Sequence, residues 1–438
     1  MTTALTDLVP SMRRAVAPAR RGRVRSVVGL GFEAAGIEAA VGDAVVVHAA
    51  SGPLVGEVVA LTPTGTVCMP FGELRGVRTG DLVEPLDAPL QVPVGAALLG
   101  RVLDGLGRPI DGGPPITALP TVGVDGIAPH PLRREMVRES LQLGVRAVDA
   151  LIPCGKGQRL GIFAGSGVGK SSLLSMIVRG TAADVAVVAL IGERGREVRE
   201  FIENDLGPEG LARSVVIVAT SDTPPLVRLQ SAFVATRIAE WFRDQGRDVV
   251  LMMDSLTRFA MAQREIGLSA GEAPATRGYP PSVFAALPRL LERAGAGERG
   301  SITGLYTVLV EADDLNDPIG DSARSILDGH IALSRNLANA GHFPSIEVLS
   351  SVSRVANALL TSEQLALAAD VRALLAAHRD ARDLVDIGAY VPGSNALVDR
   401  ALRLKGGIDG FLRQSIHETT TADSAWQHLQ HVLQEMPS

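Results

Sequence analysis

The residues with the clearest chemistry are Ala164-Gly-Ser-Gly-Val-Gly-Lys170-Ser171. Gly165, Gly167 and Gly169 allow successive backbone N–H groups to converge on anionic oxygens where side chains would obstruct them. Lys170 adds an ammonium that reaches β- and γ-phosphates, and Ser171 a hydroxyl able to ligate Mg²⁺. Ser166, Val168 and Ser172 complete the stretch, so residues 165–172 are the expected nucleotide contact. Ala164 stands where this motif opens with glycine, and its methyl fits unless the backbone there has positive φ. A ligand-free glycine turn is the bland alternative. Against it stands the lysine: the chain has three lysines (Lys156, Lys170, Lys405) and thirty-nine arginines. Arginine is too long and flat for this point-charge role.

Two carboxylates belong with that loop. Val249-Val-Leu-Met-Met-Asp254 is an apolar strand ending in a carboxylate, which at a sheet's carboxyl edge holds Mg²⁺ through water. Many strands end in Asp at a turn, so the pattern is weak alone and strong beside Lys170. Gly192-Glu193-Arg194 follows another apolar strand, placing Glu193 at the same edge to orient and deprotonate water. Glu197 and Glu200, on the helix-like continuation, read as solvated charge.

The elements that must position these groups change character along the chain. Residues 1–21 read as an arm, mixing proline, arginine and scattered apolar positions. From 22 to 95, short β-branched runs (Val24–Val28, Ala44–Val47, Leu54–Leu61, Gly65–Cys68) alternate with Gly-Asp turns, indicating a small β-barrel or sandwich. Gly105 to Pro131 is a Gly- and Pro-rich connection. After Asp149 come continuous apolar runs: Leu160–Ala164, Val185–Ile191, Val215–Ala219, Val249–Met253 and Leu305–Val310, with Ile346–Leu349 weaker. Such runs imply parallel strands covered on both faces. The expectation is an α/β P-loop domain over 96–360 with a RecA-like parallel sheet, preceded by the barrel. A C-terminal helical domain follows over 361–438. There Leu367, Val371, Leu374 and Leu375, and then Trp426, Leu429, Val432 and Leu433, recur at helical spacing and read as core.

Composition narrows the partners. The net charge is −6 and aromatic residues are 3% of the chain. A single-strand-binding motor wants a basic groove with stacking rings, so nucleic acid is not expected. The arginines at 13, 14, 20, 21, 23 and 25 read as a solvated or partner-binding arm. The longest apolar run, Val185–Ile191, is far short of the ~20 residues of a membrane helix. No stretch reads as a secretory leader. Two cysteines, Cys68 and Cys154, make neither a disulfide framework nor a four-ligand zinc site. A cytoplasmic location is the expectation. His48, His330 and His342 lack metal spacing and read as structural, Cys154 and Lys156 as turn residues. Tyr279-Pro280-Pro281 reads as a pore-facing loop or a rigid turn.

The stretches GERGREVREF, DSLTRFAMAQREIGLSAGEAPATRGYPPSVFA, ILDGHIALSR and SVSRVANAL resemble the rotary-type ATPases related to the catalytic subunit of ATP synthase. The resemblance runs from about Gly22 to Gln414. Within that group IGAYVPGSNALVDRALRLKGGIDGFLRQ is most similar to the type III export ATPases. ATRGYPPS and DPIGDSARSILDGH favour the flagellar ones over the virulence type. The acidic helix-turn segment with which the ATP synthase subunit engages its stalk has no counterpart. The resemblance implies ATP and Mg²⁺ as ligands, with Lys170 and Ser171 in the nucleotide loop and Asp254 on the metal. Glu193 matches the catalytic carboxylate, Arg194 its phosphate-contacting neighbour and Arg258 a second arginine near the γ-phosphate. Arg354, in Ser351-Val-Ser-Arg354, matches an arginine finger that reaches the adjacent subunit. Phe343 falls where the family usually has a tyrosine stacked on adenine, and Phe411 is expected to complete that pocket. The partners implied are a homohexamer and a regulatory stalk-like protein on the N-terminal arm. An export gate, chaperone–substrate complexes and peripheral contact with a membrane export apparatus are implied as well. The alternatives are a virulence-type secretion ATPase, a ring-shaped nucleic-acid motor, or a non-catalytic nucleotide-binding ring subunit. Glu193 beside an intact Lys170-Ser171 argues against the last.

Overall fold

The computed structural model describes residues 21–86, 88–116, 118–310 and 317–434. The arm expected over 1–21 lies almost wholly outside them. The described residues divide into two compact units. One holds the chain up to Gln91 together with Glu265–Ala273, the other Val92–Arg264 and the chain from Pro274 onward.

The first unit is a closed barrel of β1 (Gly22–Val28), β2 (Gly31–Ala35), β3 (Ala44–Ala49), β4 (Gly52–Thr62), β5 (Gly65–Pro70) and β6 (Leu82–Pro85). Its strands run β1-β2-β5-β4-β3-β6, and β1 pairs with β6 to close it. Alternating residues point inward: Val24, Phe32, Ala34, Val45, Val47, Val58, Cys68 and Val83 are its core. Burial pushes the Cys68 thiol up to about 12, so it packs as a small apolar group. Four of the six strands carry the β-branched runs seen in the sequence. The other two, Gly-Phe-Glu-Ala-Ala and Leu-Val-Glu-Pro, have weak strand propensity and are held by partners on both sides.

A connecting segment follows with β7 (Gln91–Pro93), β8 (Arg101–Asp104) and β9 (Thr121–Gly123). The second unit is then built on β10 (Arg159–Ala164), β11 (Val185–Glu193), β12 (Ser214–Thr220), β13 (Asp248–Asp254), β14 (Gly295–Ala296), β15 (Ser301–Leu309), β16 (Gly329–Ala332) and β17 (Val352–Ser353). The sheet order is β17-β16-β10-β15-β13-β11-β12-β8, with β14 on β15. All pairings from β16 across to β8 are parallel, while β14 and β17 run antiparallel. This is the expected α/β P-loop architecture of barrel, parallel sheet and C-terminal helices.

Every apolar run from Leu160 to Val310 became a central strand, because each is buried on both faces. Ile346–Leu349 did not. Ile346 makes a single bridge to Leu333, and Val348–Ser350 closes as a 3₁₀ turn. Side chains satisfy the backbone there, since Arg372 donates to the Val348 carbonyl and the Ser351 hydroxyl to that of Glu347.

The C-terminal helices Ser362–Asp386, Ala396–Leu412 and Ala422–Gln434 share one core with the sheet. Val371, Leu374, Ile408, Phe411 and Leu429 join Leu160, Ile162, Leu173 and Ile177 in it. The first helix starts on a capping box, Thr361 with Gln364. Among the described residues no helix is long and apolar enough to cross a membrane.

Candidate active site

The phosphate loop connects β10 to the helix Lys170–Gly180. Gly167 and Gly169 have φ of +76° and +91°, a region where any other residue is strained. A side chain at Gly169 would also lie 3.3 Å from the Phe343 ring. Ala164 pairs in register with Leu309 and is not among the positive-φ residues, so its methyl is accommodated. The loop therefore ends at a helix N-terminus whose N–H groups are open to an anion.

Register brings the two carboxylates to this loop. Asp254 ends β13 opposite Leu190, and β11 runs past that point to Glu193. Lys170 Nζ lies 2.5 Å from Asp254 Oδ1 and 3.4 Å from Glu193 Oε1. The three side chains are 13%, 7% and 15% exposed, so the cluster is nearly shut off from solvent. Burial alone would lower the Lys170 pKa, but Asp254 and Glu193 overcome it and the ammonium is held above its usual range. Burial, reinforced by the negative Asp254, pushes Glu193 up to about 7 despite the pull of Lys170. A carboxylate near 7 can accept a proton from water at neutral pH without being too weak a base.

Thr307 went unnoticed in the sequence. It is fully buried on β15, and its hydroxyl donates to Asp254 Oδ1 at 2.7 Å. A threonine hydroxyl inside the run Leu305–Val310 was the available signal, since buried hydroxyls need partners. It fixes the carboxylate's rotation.

Arg258 closes the other side. A β-carbon at Gly192 would stand 2.9 Å from Arg258 Cγ, so glycine there lets the arginine lie across the end of β11. Its Nε is buried without a hydrogen-bond partner among the described residues, a donor suited to an anionic oxygen.

Other expected residues lie apart from this cluster. Arg194 is 83% exposed and pairs with Glu197 at 3.2 Å. Arg354 follows the edge strand β17, where its backbone N–H bonds the Asp328 carbonyl and its guanidinium that of Arg324. Asp328 precedes β16, so Arg354 sits at the opposite end of the sheet from its own phosphate loop. Phe343 is 46% exposed beside Gly169, with a face open for stacking. The expectation for Phe411 needs correcting. It is fully buried, edge-on to His428 at 5.4 Å, and offers no face to a base.

Asp254 and the Ser171 hydroxyl are hard oxygen donors of the kind Mg²⁺ takes. Among the described residues no cluster of three or more His, Cys, Asp or Glu could hold a metal unaided. The donor set fits a Mg²⁺ that also binds substrate phosphates and water, as in other P-loop proteins.

A parallel sheet with a phosphate loop after its central strand, a buried Asp on the next strand but one, and a glutamate beyond it define a P-loop ATPase. Residues 144–353 match the family model of the ATP synthase alpha/beta family, nucleotide-binding domain. Residues 360–431 match the T3SS EscN ATPase C-terminal domain. The flagellum-specific ATP synthase of Bacillus subtilis is 51% identical over 402 residues, covering 91% of this chain and 92% of that protein. The type 3 secretion system ATPase of Xanthomonas euvesicatoria is 50% identical over 412 residues, covering 94% and 93%. The assembled ATPase EscN of the enteropathogenic E. coli type III secretion system superposes with a TM-score of 0.89. It is 44% identical, over 94% of this chain and 100% of that one. EscN in complex with its central stalk EscO gives 0.86, at 43% identity over 94% and 100%. The chain belongs to the ATP synthase alpha/beta family, among the flagellum-specific ATP synthases and type 3 secretion ATPases. It is an ATPase of that kind.

Proposed function

We propose that this chain hydrolyses MgATP as a homohexameric ring that energises type III protein export for flagellum assembly. The observation carrying the reading is the buried cluster of Lys170, Asp254 and Glu193 at the mouth of the phosphate loop. The N–H groups of residues 165–169 and the Lys170 ammonium bind and neutralise phosphate oxygens, and Phe343 stacks on the base. Ser171 and Asp254, the latter rotated into place by Thr307, hold Mg²⁺, which supplies charge neutralisation when bound. Glu193 orients the attacking water and takes its proton. Arg258, with Arg194 at the site's rim, meets charge developing on the transferred phosphoryl group. Arg354 serves the neighbouring subunit's site. An assembled state is named for EscN, and a ring is supported here by an Arg354 that lies away from its own loop.

The base assignment fixes a pH dependence. A base acts only when deprotonated, so activity falls as pH drops through its pKa, and a raised pKa moves that fall toward neutrality. The profile of kcat/KM, which reports the free enzyme, is expected to bend downward below about pH 7. A profile flat down to pH 5.5 would take proton acceptance away from Glu193.

The flagellar assignment rests on the segments ATRGYPPS and DPIGDSARSILDGH, and a virulence-type secretion ATPase is the second reading. On the flagellar reading the protein is cytoplasmic and peripheral to the membrane export apparatus, where chaperone–substrate complexes and an export gate meet it. The N-terminal arm holds a regulatory stalk-like protein. Deleting residues 2–18 is expected to keep ATP turnover measurable while removing that regulator from affinity-purified material. Identifying the co-purified proteins decides between the readings: flagellar components support the first, virulence components the second. A regulator still retained by the shortened chain would refute the arm's role.

A further inference from the structure

The segment 334–346 grips the back of the phosphate loop at two carbonyls. Ser345 is 1% exposed, and its hydroxyl donates to the Val168 carbonyl at 2.5 Å. Arg335 Nη1 donates to the Ser166 carbonyl at 3.2 Å. The carbonyl of Val168 belongs to the same peptide plane as the N–H of Gly169, and that of Ser166 to the plane of the Gly167 N–H. In a trans peptide the two groups point in opposite directions. Pinning a carbonyl on the outer side of the loop therefore turns the following N–H toward the inner side, where phosphate oxygens bind. The two pinned planes lead into Gly167 and Gly169, the positive-φ residues. These are the positions with the most backbone freedom to lose.

The gripping segment is itself anchored. The Ser345 carbonyl accepts from Ser334 N at 2.8 Å, and the Phe343 carbonyl accepts from Gln414 N at 3.0 Å. The Gln414 side chain in turn bonds Arg146 N and the Gly144 carbonyl. Phe343, two residues before Ser345, lies against Gly169. One strap thus carries both the stacking ring and the hydroxyl that aims the loop.

We propose that Ser345 is a positioning residue for nucleotide phosphates, with Arg335 as the second anchor of the same loop. It acts through the backbone of Val168 and Gly169 without touching substrate. The inference rests on the phosphate-loop reading of Lys170. Because the aligned N–H groups meet phosphate both in the ground state and in the transition state, losing their alignment weakens uniform binding. That signature is a raised KM with kcat preserved.

The test measures kcat and KM for ATP, and ADP affinity, for the full chain carrying Ser345→Ala, Arg335→Gln or Lys170→Ala. Ser345→Ala is expected to raise KM and weaken ADP binding ~3–10-fold, the scale of one net hydrogen bond, with kcat within about twofold. Arg335→Gln, at an exposed position, should raise KM ~2–4-fold in the same pattern. A hydroxyl that merely supported the fold would lower the active fraction, and with it kcat, and leave KM unchanged. That result overturns the proposal. If Ser345→Ala does not fold, Arg335→Gln decides: a raised KM supports the two-anchor loop and an unchanged one refutes it. Lys170→Ala separates the two levels. Should it bind nucleotide like the parent chain, the phosphate-loop reading has failed and the inference with it. Should it lose binding while the anchor variants behave as the parent, only the anchors are wrong.

Discussion

Arg354→Ala is expected to cut ATP turnover ~10³-fold or more in assembled rings, while each subunit still binds nucleotide. The size follows from what an arginine supplied in trans adds to phosphoryl transfer elsewhere, ~10³–10⁵ in rate. The direction follows from position. Arg354 stands after the edge strand β17, at the end of the sheet away from its own phosphate loop. A residue so placed does not reach its own subunit's phosphate loop, and on the proposed reading it serves a neighbour's. Turnover per subunit should therefore rise with protein concentration as rings form. Mixing Arg354→Ala with Lys170→Ala subunits should restore activity. In a random ring about one interface in four then joins an intact loop to an intact arginine. A mixture that stays inactive although mixed rings are present, or a monomer as active as the assembly, would remove Arg354 from the reaction.

Glu193→Gln is expected to lower turnover ~10²–10⁴-fold, the usual worth of a positioned general base. The amide is close in shape, so Gly192 still lies under Arg258 and β11 keeps its register. What disappears, on the proposed reading, is the acceptor for water's proton. The substitution also removes one of the two negative charges around Lys170, leaving Asp254 as its 2.5 Å partner. Nucleotide affinity should thus hold or improve slightly, because the ammonium is less committed to protein carboxylates. A variant retaining half the parent turnover would contradict the assignment.

The position of the loop was legible because it is local. Gly165 through Ser171 are consecutive, and each carboxylate ends an apolar run of its own strand. The parallel sheet was legible for the same reason, from runs such as Val185–Ile191 that only two-sided burial explains. What stayed hidden depends on contacts between distant segments. Thr307 matters because β15 lies beside β13, an adjacency that no spacing announces. Ser345 is far from Val168 in the chain and meets it only once β16 pairs with β10. Phe411 carried an aromatic ring in a segment resembling a nucleotide pocket. Packing of the last three helices turned that ring inward against His428. Residues 31–35 failed to read as a strand because neighbouring strands, rather than their own propensity, hold them extended.

The most direct test of the central claim measures equilibrium ATP binding and steady-state hydrolysis in parallel on Lys170→Ala and Glu193→Gln, with Mg²⁺ present. The proposed reading assigns the lysine to phosphate and the glutamate to water. Lys170→Ala should accordingly lose both binding and turnover, and Glu193→Gln should bind ATP like the parent chain while turning over at least ~10²-fold more slowly. Equal affinity in the two variants, or hydrolysis surviving in both, would contradict the account.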